Sequence, residues 1–519
     1  MSHPPALPRT IRALCTLALV VASSALALAG DLQREVEALV AQSGLSKARI
    51  GVSVLDLSTG RALAEVDADQ SLTPASNMKL LTSGAALLVL GEDFAFRTEF
   101  AIDERGAGRR VIVRGSGDPG LGDTELLSRG ENPMSVEQML GAIAKAFRTH
   151  GLEHATEIVV DDRIFDREYV HPTWPEDQLN RWYCAQVTGA NFFTNCVDVY
   201  PAPSSRPDTP ALVTIEPEAP WMEIDTSRSR TVTTGQNTVW VSRVLGTNRL
   251  ALNNNVRNRP PEPIPVAIHE PNRFLGRLIA KGLVDERVAI GPAQDNISLE
   301  AALSAVRLAE PDEVLAGGTL VAVVRTSMQD VLSRCNTDSQ NLYAECLLKR
   351  LGRESTGQPG SWTNGASVLR MLVAERLGSE FAQTLVVADG SGMSRENRVT
   401  PRLITAWLAM MRRADVGDTF VGSLATPGVG TLRKRFSEQR PESNVHAKSG
   451  YLFGVVCLSG YVVHPTSGRT VAFSVLLNDV PRGEQVARAQ LMQEQVVIAI
   501  DRWLLANEPA QATAPASGG

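Results

Sequence analysis

The sequence predicts an α/β (α+β) fold, an antiparallel sheet with flanking helices interrupted by a large β-rich insertion. Two patterns carry that expectation: helix plus hairpin at both ends of the chain, and many short strand-like runs in the middle. Length is a third observation. At 519 residues the chain is long for a single hydrophobic core, and two or three packed units are expected.

After the first thirty residues, Leu32, Val36, Leu39 and Val40 recur at helical spacing. Ile50, Val52 and Val54 then alternate with other residues. The turn Ser58-Thr59-Gly60 leads to Ala62, Ala64 and Val66, which predicts a hairpin. The far end mirrors this. Val455 to Val463 and Thr470 to Leu477 read as strands around Pro465-Thr466-Ser467-Gly468. A long helix follows, with Met492, Val496, Ala499, Ile500, Trp503 and Leu504 on one face. The two ends can share one sheet. This assigns residues 31–95 and 310–506 to one domain and 96–309 to an inserted region of one or two subdomains. Strand-like runs there include Arg110 to Arg114, Glu157 to Asp161, Ala211 to Ile215 and Thr238 to Val244. Residues 507–519, rich in Ala, Pro, Ser and Gly, read as a disordered tail.

Residues 1–30 have the pattern of a cleavable signal peptide. Arg9 and Arg12 precede an apolar run from Ala13 to Ala29 that ends in small residues. Ser23 and Ser24 interrupt the run, which is short for a membrane span. Export is therefore expected. The net charge of −6 grows more negative once those arginines are removed, so the chain is a poor match for nucleic acid. An oxidising compartment permits disulfides. By spacing, Cys184 with Cys196 is the best pair and Cys335 with Cys346 a weaker one, while Cys457 reads as a buried thiol in a strand.

Three short motifs carry chemistry. In Thr73-Pro74-Ala75-Ser76-Asn77-Met78-Lys79, Thr73 and Pro74 suit the start of a helix, which sets Ser76 and Lys79 at i and i+3 on one face. A serine hydroxyl becomes a good nucleophile when a neighbouring base accepts its proton, and a lysine serves once it is neutral. In Ser339-Gln340-Asn341, just before a helical run, the hydroxyl can relay a proton. The amide can hold Lys79 and a substrate amide. In His446-Ala447-Lys448-Ser449-Gly450-Tyr451, at a strand start, Lys448 and Ser449 can receive a carboxylate. Gly450 lets substrate backbone approach, and the amides of Tyr451 and Ser76 can form an oxyanion hole. Each motif alone is weak. Their joint occurrence in this order is the active-serine signature of penicillin-recognising enzymes.

The chain resembles the class C low-molecular-mass penicillin-binding proteins, the D-alanyl-D-alanine carboxypeptidases/endopeptidases typified by penicillin-binding protein 4. The resemblance spans nearly all of the chain after residue 30. It rests on the three motifs, on the long gap from Ser76 to Ser339, and on Gly115-Ser116-Gly117-Asp118-Pro119 and Gly430-Thr431-Leu432. The stretch Asp389-Gly390-Ser391-Gly392-Met393-Ser394-Arg395, followed by Thr400-Pro401, is the most family-specific. It implies a penicillin-binding/serine β-lactamase-like fold and attack by Ser76 on a D-Ala-D-Ala bond of a peptidoglycan stem peptide or on a cross-link. It implies acylation of Ser76 by β-lactam antibiotics to an adduct that is slow to leave, no cofactor, and a periplasmic location with peripheral membrane or cell-wall association left open. It also implies that Asp161 and Arg395 line a pocket for the stem-peptide side chain. On its own, Asp161 reads as a turn residue after a strand.

Other readings weigh less. A serine β-lactamase shares the trio but needs an extra base for fast deacylation, and the large insertion departs from its compact plan. A non-catalytic wall-binding protein would not need Ser76, Lys79, Ser339, Asn341 and Lys448 together. Gly115 to Gly120 fits a dinucleotide fingerprint in letters, but Pro119 argues for a loop. No H-E-x-x-H or close histidine spacing points to a metal. His446 reads as a strand residue, and Trp174, Trp182 and Tyr183 as core aromatics of the insertion.

Overall fold

The computed structural model describes residues 31–507 apart from 106–107, 131, 294–296 and 316. The expected signal peptide and nearly all of the expected tail lie outside the described residues. The chain forms two compact units. Of the described residues, the first holds those from Asp31 to Leu80, Val373–Val386, and those from Asn397 to Asn507. The second holds Leu81–Leu372 and Val387–Glu396.

The first unit is built on the sheet that the chain ends were expected to share. Its five strands lie in the order Asn444–Leu452, Val455–Val463, Thr470–Asn478, Arg49–Asp56, Arg61–Val66, all neighbours antiparallel. One face is apolar. Val52, Val54, Leu458, Phe473 and Val475 pack there with Leu32 and Val36, from the helical residues 31–42, and with Met492, Val496 and Ile500 of the helix Glu484–Ala506. The other face carries a polar row in register across four strands: Lys448, Ser459, Ser474 and Ser53. These side chains are all buried. The helix Pro401–Arg413 covers part of this face, and its Thr405 hydroxyl lies 2.8 Å from that of Ser53.

The second unit holds a mixed five-stranded sheet ordered Val306–Leu308, Glu157–Asp161, Arg110–Arg114, Ala95–Asp103, Thr319–Ser327. Smaller sheets follow, one of them Ile264–Ala267, Cys196–Ala202 and Leu212–Glu216. The β-rich expectation is met, but the region also contains two long helices, Val136–Thr149 and Pro271–Asp285, whose apolar residues join the sheet in one core. The first of these announces itself locally. Ser135 and Gln138 form a reciprocal capping box, with Gln138 N–H donating to Ser135 Oγ at 3.2 Å and Ser135 N–H to Gln138 Oε1 at 2.8 Å.

The disulfide expectation is corrected. None of the five cysteines among the described residues forms a disulfide, and all five are buried. Cys196 opens a strand and packs with Ala185 and Ala267, while Cys184 sits in the separate turn Trp182–Cys184. Closeness along the chain did not bring the two thiols together. Burial pushes both thiols up to about 12, which makes them inert. Cys346 instead accepts a hydrogen bond from Asn191 Nδ2 at 3.3 Å. Cys457 is the buried strand thiol expected of it.

Candidate active site

The segment carrying Ser76 is held from both sides. Thr73 was expected to cap a helix, and it does not. A 3-10 turn, Ala75–Asn77, comes first and runs into the helix Met78–Leu90, with no side-chain cap. Thr73 is taken up by the sheet. Its N–H donates to Asn478 Oδ1 at 2.8 Å, and its carbonyl accepts from Asn478 Nδ2 at 3.0 Å. Its hydroxyl accepts from Arg398 Nη1 at 3.1 Å. Beyond the serine, Asn77 Nδ2 donates to Ser459 Oγ at 2.6 Å, and the Ser459 hydroxyl is 2.9 Å from that of Ser474. Between these clamps Ala75 has φ +46°, in the left-handed region that residues with a Cβ rarely adopt. Such a conformation costs roughly 1–3 kcal/mol and persists where surrounding contacts over-determine it. The two asparagine clamps supply those contacts.

The geometry delivers the expected pair. Lys79 is fully buried, and its Nζ donates to Ser76 Oγ at 3.0 Å. At that distance a neutral Lys79 amine is within reach of the serine proton. Lys448 is also fully buried, and its Nζ donates to the Ser449 carbonyl at 2.8 Å.

Gly450 has close neighbours within the fold. A Cβ at this position would stand 3.1 Å from Ser76 N, 3.1 Å from Asn77 Oδ1 and 3.0 Å from the Pro74 carbonyl. The missing side chain therefore admits the protein's own nucleophile turn against the edge strand. Asn77 Oδ1 is buried there with no hydrogen-bond partner. Tyr451, the next residue, has an exposed ring.

Ser339 and Asn341 belong to the second unit. Ser339 also has a left-handed backbone, φ +62°. The loop that holds it is tied to Arg334, which donates to Asp338 at 2.6 Å and to Asp123 at 2.9 Å, while its carbonyl accepts from Gln340 N–H at 3.0 Å. Asn341 opens the helix Asn341–Thr356, and its Nδ2 donates to the Tyr183 carbonyl at 2.8 Å.

The D-G-S-G-M-S-R stretch wraps buried carboxylates. Glu345 accepts from the N–H groups of Gly390 and Ser391, each at 2.8 Å, and from Trp362 Nε1. Asp389 accepts from Gly392 N–H, Ser394 N–H and Trp174 Nε1. Burial, and then the charge of Asp389, push Glu345 up to about 7. Arg395, at the end of this loop, is exposed. Asp161 ends its strand with both carboxylate oxygens bound by Arg163, at 2.8 and 2.9 Å. Asp118, in the glycine-rich stretch, accepts from Gly120 N–H and the Thr326 hydroxyl, and the glycines pack against Gly189 and Phe165 as a loop.

Sequence reasoning missed Asn77, Asn478, Ser459 and Ser474 as supports of the nucleophile. A signal was present. Ser459 and Ser474 each interrupt an otherwise apolar strand, at positions that pair in register.

Among the described residues no cluster of His, Cys, Asp or Glu could hold a metal ion, and no helix is long and apolar enough to cross a membrane.

Comparison with known proteins agrees with this architecture. A D-alanyl-D-alanine carboxypeptidase from Actinomadura sp. (strain R39) is 32% identical over 489 residues, covering 90% of this chain and 85% of the relative. The D-alanyl-D-alanine carboxypeptidase DacB of Haemophilus influenzae is 22% identical, covering 86% of this chain and 89% of its own. The crystal structure of penicillin binding protein 4 (dacB) from Haemophilus influenzae shares the fold, with a TM-score of 0.72 at 20% identity over 90% of this chain and 99% of that one. The D-Ala-D-Ala carboxypeptidase 3 (S13) pattern matches residues 32–500. With nearly every described residue inside that match, the chain belongs to the D-Ala-D-Ala carboxypeptidase 3 (S13) family.

Proposed function

We propose that this chain is a serine D,D-peptidase that cleaves the terminal D-Ala-D-Ala bond of peptidoglycan stem peptides, or the peptide cross-links between them, through an acyl-enzyme on Ser76. The observation that carries the reading is the 3.0 Å hydrogen bond from Lys79 Nζ to Ser76 Oγ. Ser76 Oγ attacks the scissile carbonyl while Lys79 takes its proton. The C–N bond then breaks and the amine leaves with a proton. Water hydrolyses the ester and restores the serine. Ser339 is assigned as the proton relay and Asn341 as the amide that orients substrate, on the order of the three motifs in the sequence. Lys448 and Ser449 are assigned to the terminal carboxylate, and the backbone N–H groups of Ser76 and Tyr451 to the oxyanion. A β-lactam enters as a mimic of D-Ala-D-Ala and stays as an ester on Ser76. The N-terminal pattern of residues 1–30 supports export to the periplasm.

The test is covalent labelling with a fluorescent penicillin, followed by digestion of monomeric and cross-linked muropeptides. Ser76→Ala is expected to lose all labelling while keeping its thermal transition. Labelling retained in that variant would refute the nucleophile. The muropeptide masses separate carboxypeptidase from endopeptidase action. Penicillin turnover in under a second would favour a β-lactamase instead.

A further inference from the structure

A cleft of about 260 Å³ lies within the second unit, and none of its lining residues has been assigned a role above. It is built from three segments: the stretch around Trp221, the turn carrying Thr247 to Arg249, and the start of the helix Pro271–Asp285. Three guanidinium groups line it, those of Arg249, Arg273 and Arg277.

Several arginines of this unit are paired with carboxylates. Arg307 is bound by Glu157 and Glu313, and Arg334 by Asp123 and Asp338. The guanidiniums of Arg249 and Arg277 have no hydrogen bond or ion pair among the described residues. Arg273 Nε is buried without a hydrogen bond and keeps an ion contact of 3.4 Å with Glu270 Oε1. Like charges gathered in one cleft are unfavourable unless something neutralises them.

The floor of the cleft is preorganised. Asn248 pairs with the His269 backbone in both directions, accepting at 2.7 Å and donating at 2.9 Å. Gln186 Oε1 accepts from Glu270 N–H at 2.8 Å, which turns its Nε2 toward His269 Nδ1 at 3.2 Å. His269 then accepts at Nδ1 and carries its proton on Nε2, one more donor in the wall. Glu270 is held at φ +51°, a strained conformation of the kind found at functional sites. The positive end of a helix of 15 residues follows directly.

Glu223 and Glu270 also line the cleft. Three guanidiniums against two carboxylates leave a single positive charge, which suits a monoanion and disfavours a phosphate monoester. The partly exposed Trp221 ring, held T-shaped at 5.7 Å against the buried Phe274, adds an apolar wall of the kind that meets a sugar face.

We propose that this cleft is a second binding site, for a monoanionic oxyanion carried on a saccharide or polyol. Two sources share that chemistry, a sugar-linked carboxylate and a phosphodiester polymer. The test is calorimetric titration of the full chain at low salt with three probes. N-acetylmuramic acid presents the carboxylate, oligo(glycerol phosphate) presents the phosphodiester, and N-acetylglucosamine presents the ring without the charge. One of the charged probes is expected to bind, the neutral sugar is not, and added salt should weaken binding. The double variant Arg249→Ala/Arg277→Ala should lose about tenfold or more in affinity, as expected for charge-assisted hydrogen bonds, with penicillin labelling of Ser76 unchanged. No binding of either charged probe would overturn the proposal. So would equal binding by the double variant.

Discussion

Two fully buried lysines, each on a helix, are put to different uses. In the first turn of Met78–Leu90, Lys79 points its Nζ at a serine hydroxyl, at 3.0 Å. In the body of Asn341–Thr356, Lys349 points its Nζ at Asp166 Oδ1 and the Glu168 carbonyl, each at 2.7 Å, and lies 3.8 Å over the Trp362 ring. Burial lowers the pKa of Lys349, and the Asp166 carboxylate opposes that shift. A lysine satisfied by a carboxylate has little reason to accept a proton. Lys79, which reaches the Ser76 hydroxyl, is the one proposed to take a proton. Burial alone does not mark a functional lysine; the partner does.

The sharpest way to break this contrast is to remove each amine. Lys79→Ala should slow acylation of Ser76 by penicillin roughly 10²- to 10⁴-fold, the usual span for a lost general base, with little change in melting temperature. Lys349→Met should do the reverse. Stranding Asp166 should cost about 2–3 kcal/mol, below the full value for a buried pair because that carboxylate is partly exposed. Acylation per folded molecule should stay near normal, and Lys349→Met/Asp166→Asn should recover part of the stability. Equal kinetic defects in the two single variants would dissolve the distinction.

A finer probe asks whether the strained turn needs its clamps. Asn77→Ala removes the 2.6 Å bond to Ser459 and leaves Ser459 with Ser474. Acylation at saturating penicillin should slow roughly ten- to a hundredfold through misplacement of Ser76, with its noncovalent affinity unchanged. A loss confined to affinity would remove Asn77 from its positioning role.

The smallest expected effect is a pH dependence. In the fold Glu345 is held up to about 7 by burial and by Asp389. Its ordinary value is 4.5, so the native state prefers the protonated acid. The stability this contributes is complete below about pH 4.5 and is lost as pH rises through about 7. Glu345→Gln should flatten the fall in chemical stability across that window. An unchanged slope would mean that another group titrates there.

Much of this was legible along the chain. The strands Arg110–Arg114 and Glu157–Asp161 follow from runs of Val and Ile, and the shared sheet from matching hairpins at the two ends. Ser76 and Lys79 sit three residues apart, and one helical turn suffices to join them. The cysteines were misjudged because spacing along a sequence does not fix a distance in space. Thr73 was misjudged because its cap was outcompeted by Asn478, a partner from the far end of the chain.

By itself the sequence determined the repeating apolar pattern that makes each strand and helix, and the order of the three motifs. Those depend on backbone torsions and on residues within a turn of one another. Tertiary structure alone decided which buried charge is neutralised, that Gly450 makes room for the nucleophile turn, and that Ala75 is held in a strained conformation. Each of these is a contact between segments more than 150 positions apart, and its energy exists only once folding has brought both partners out of water.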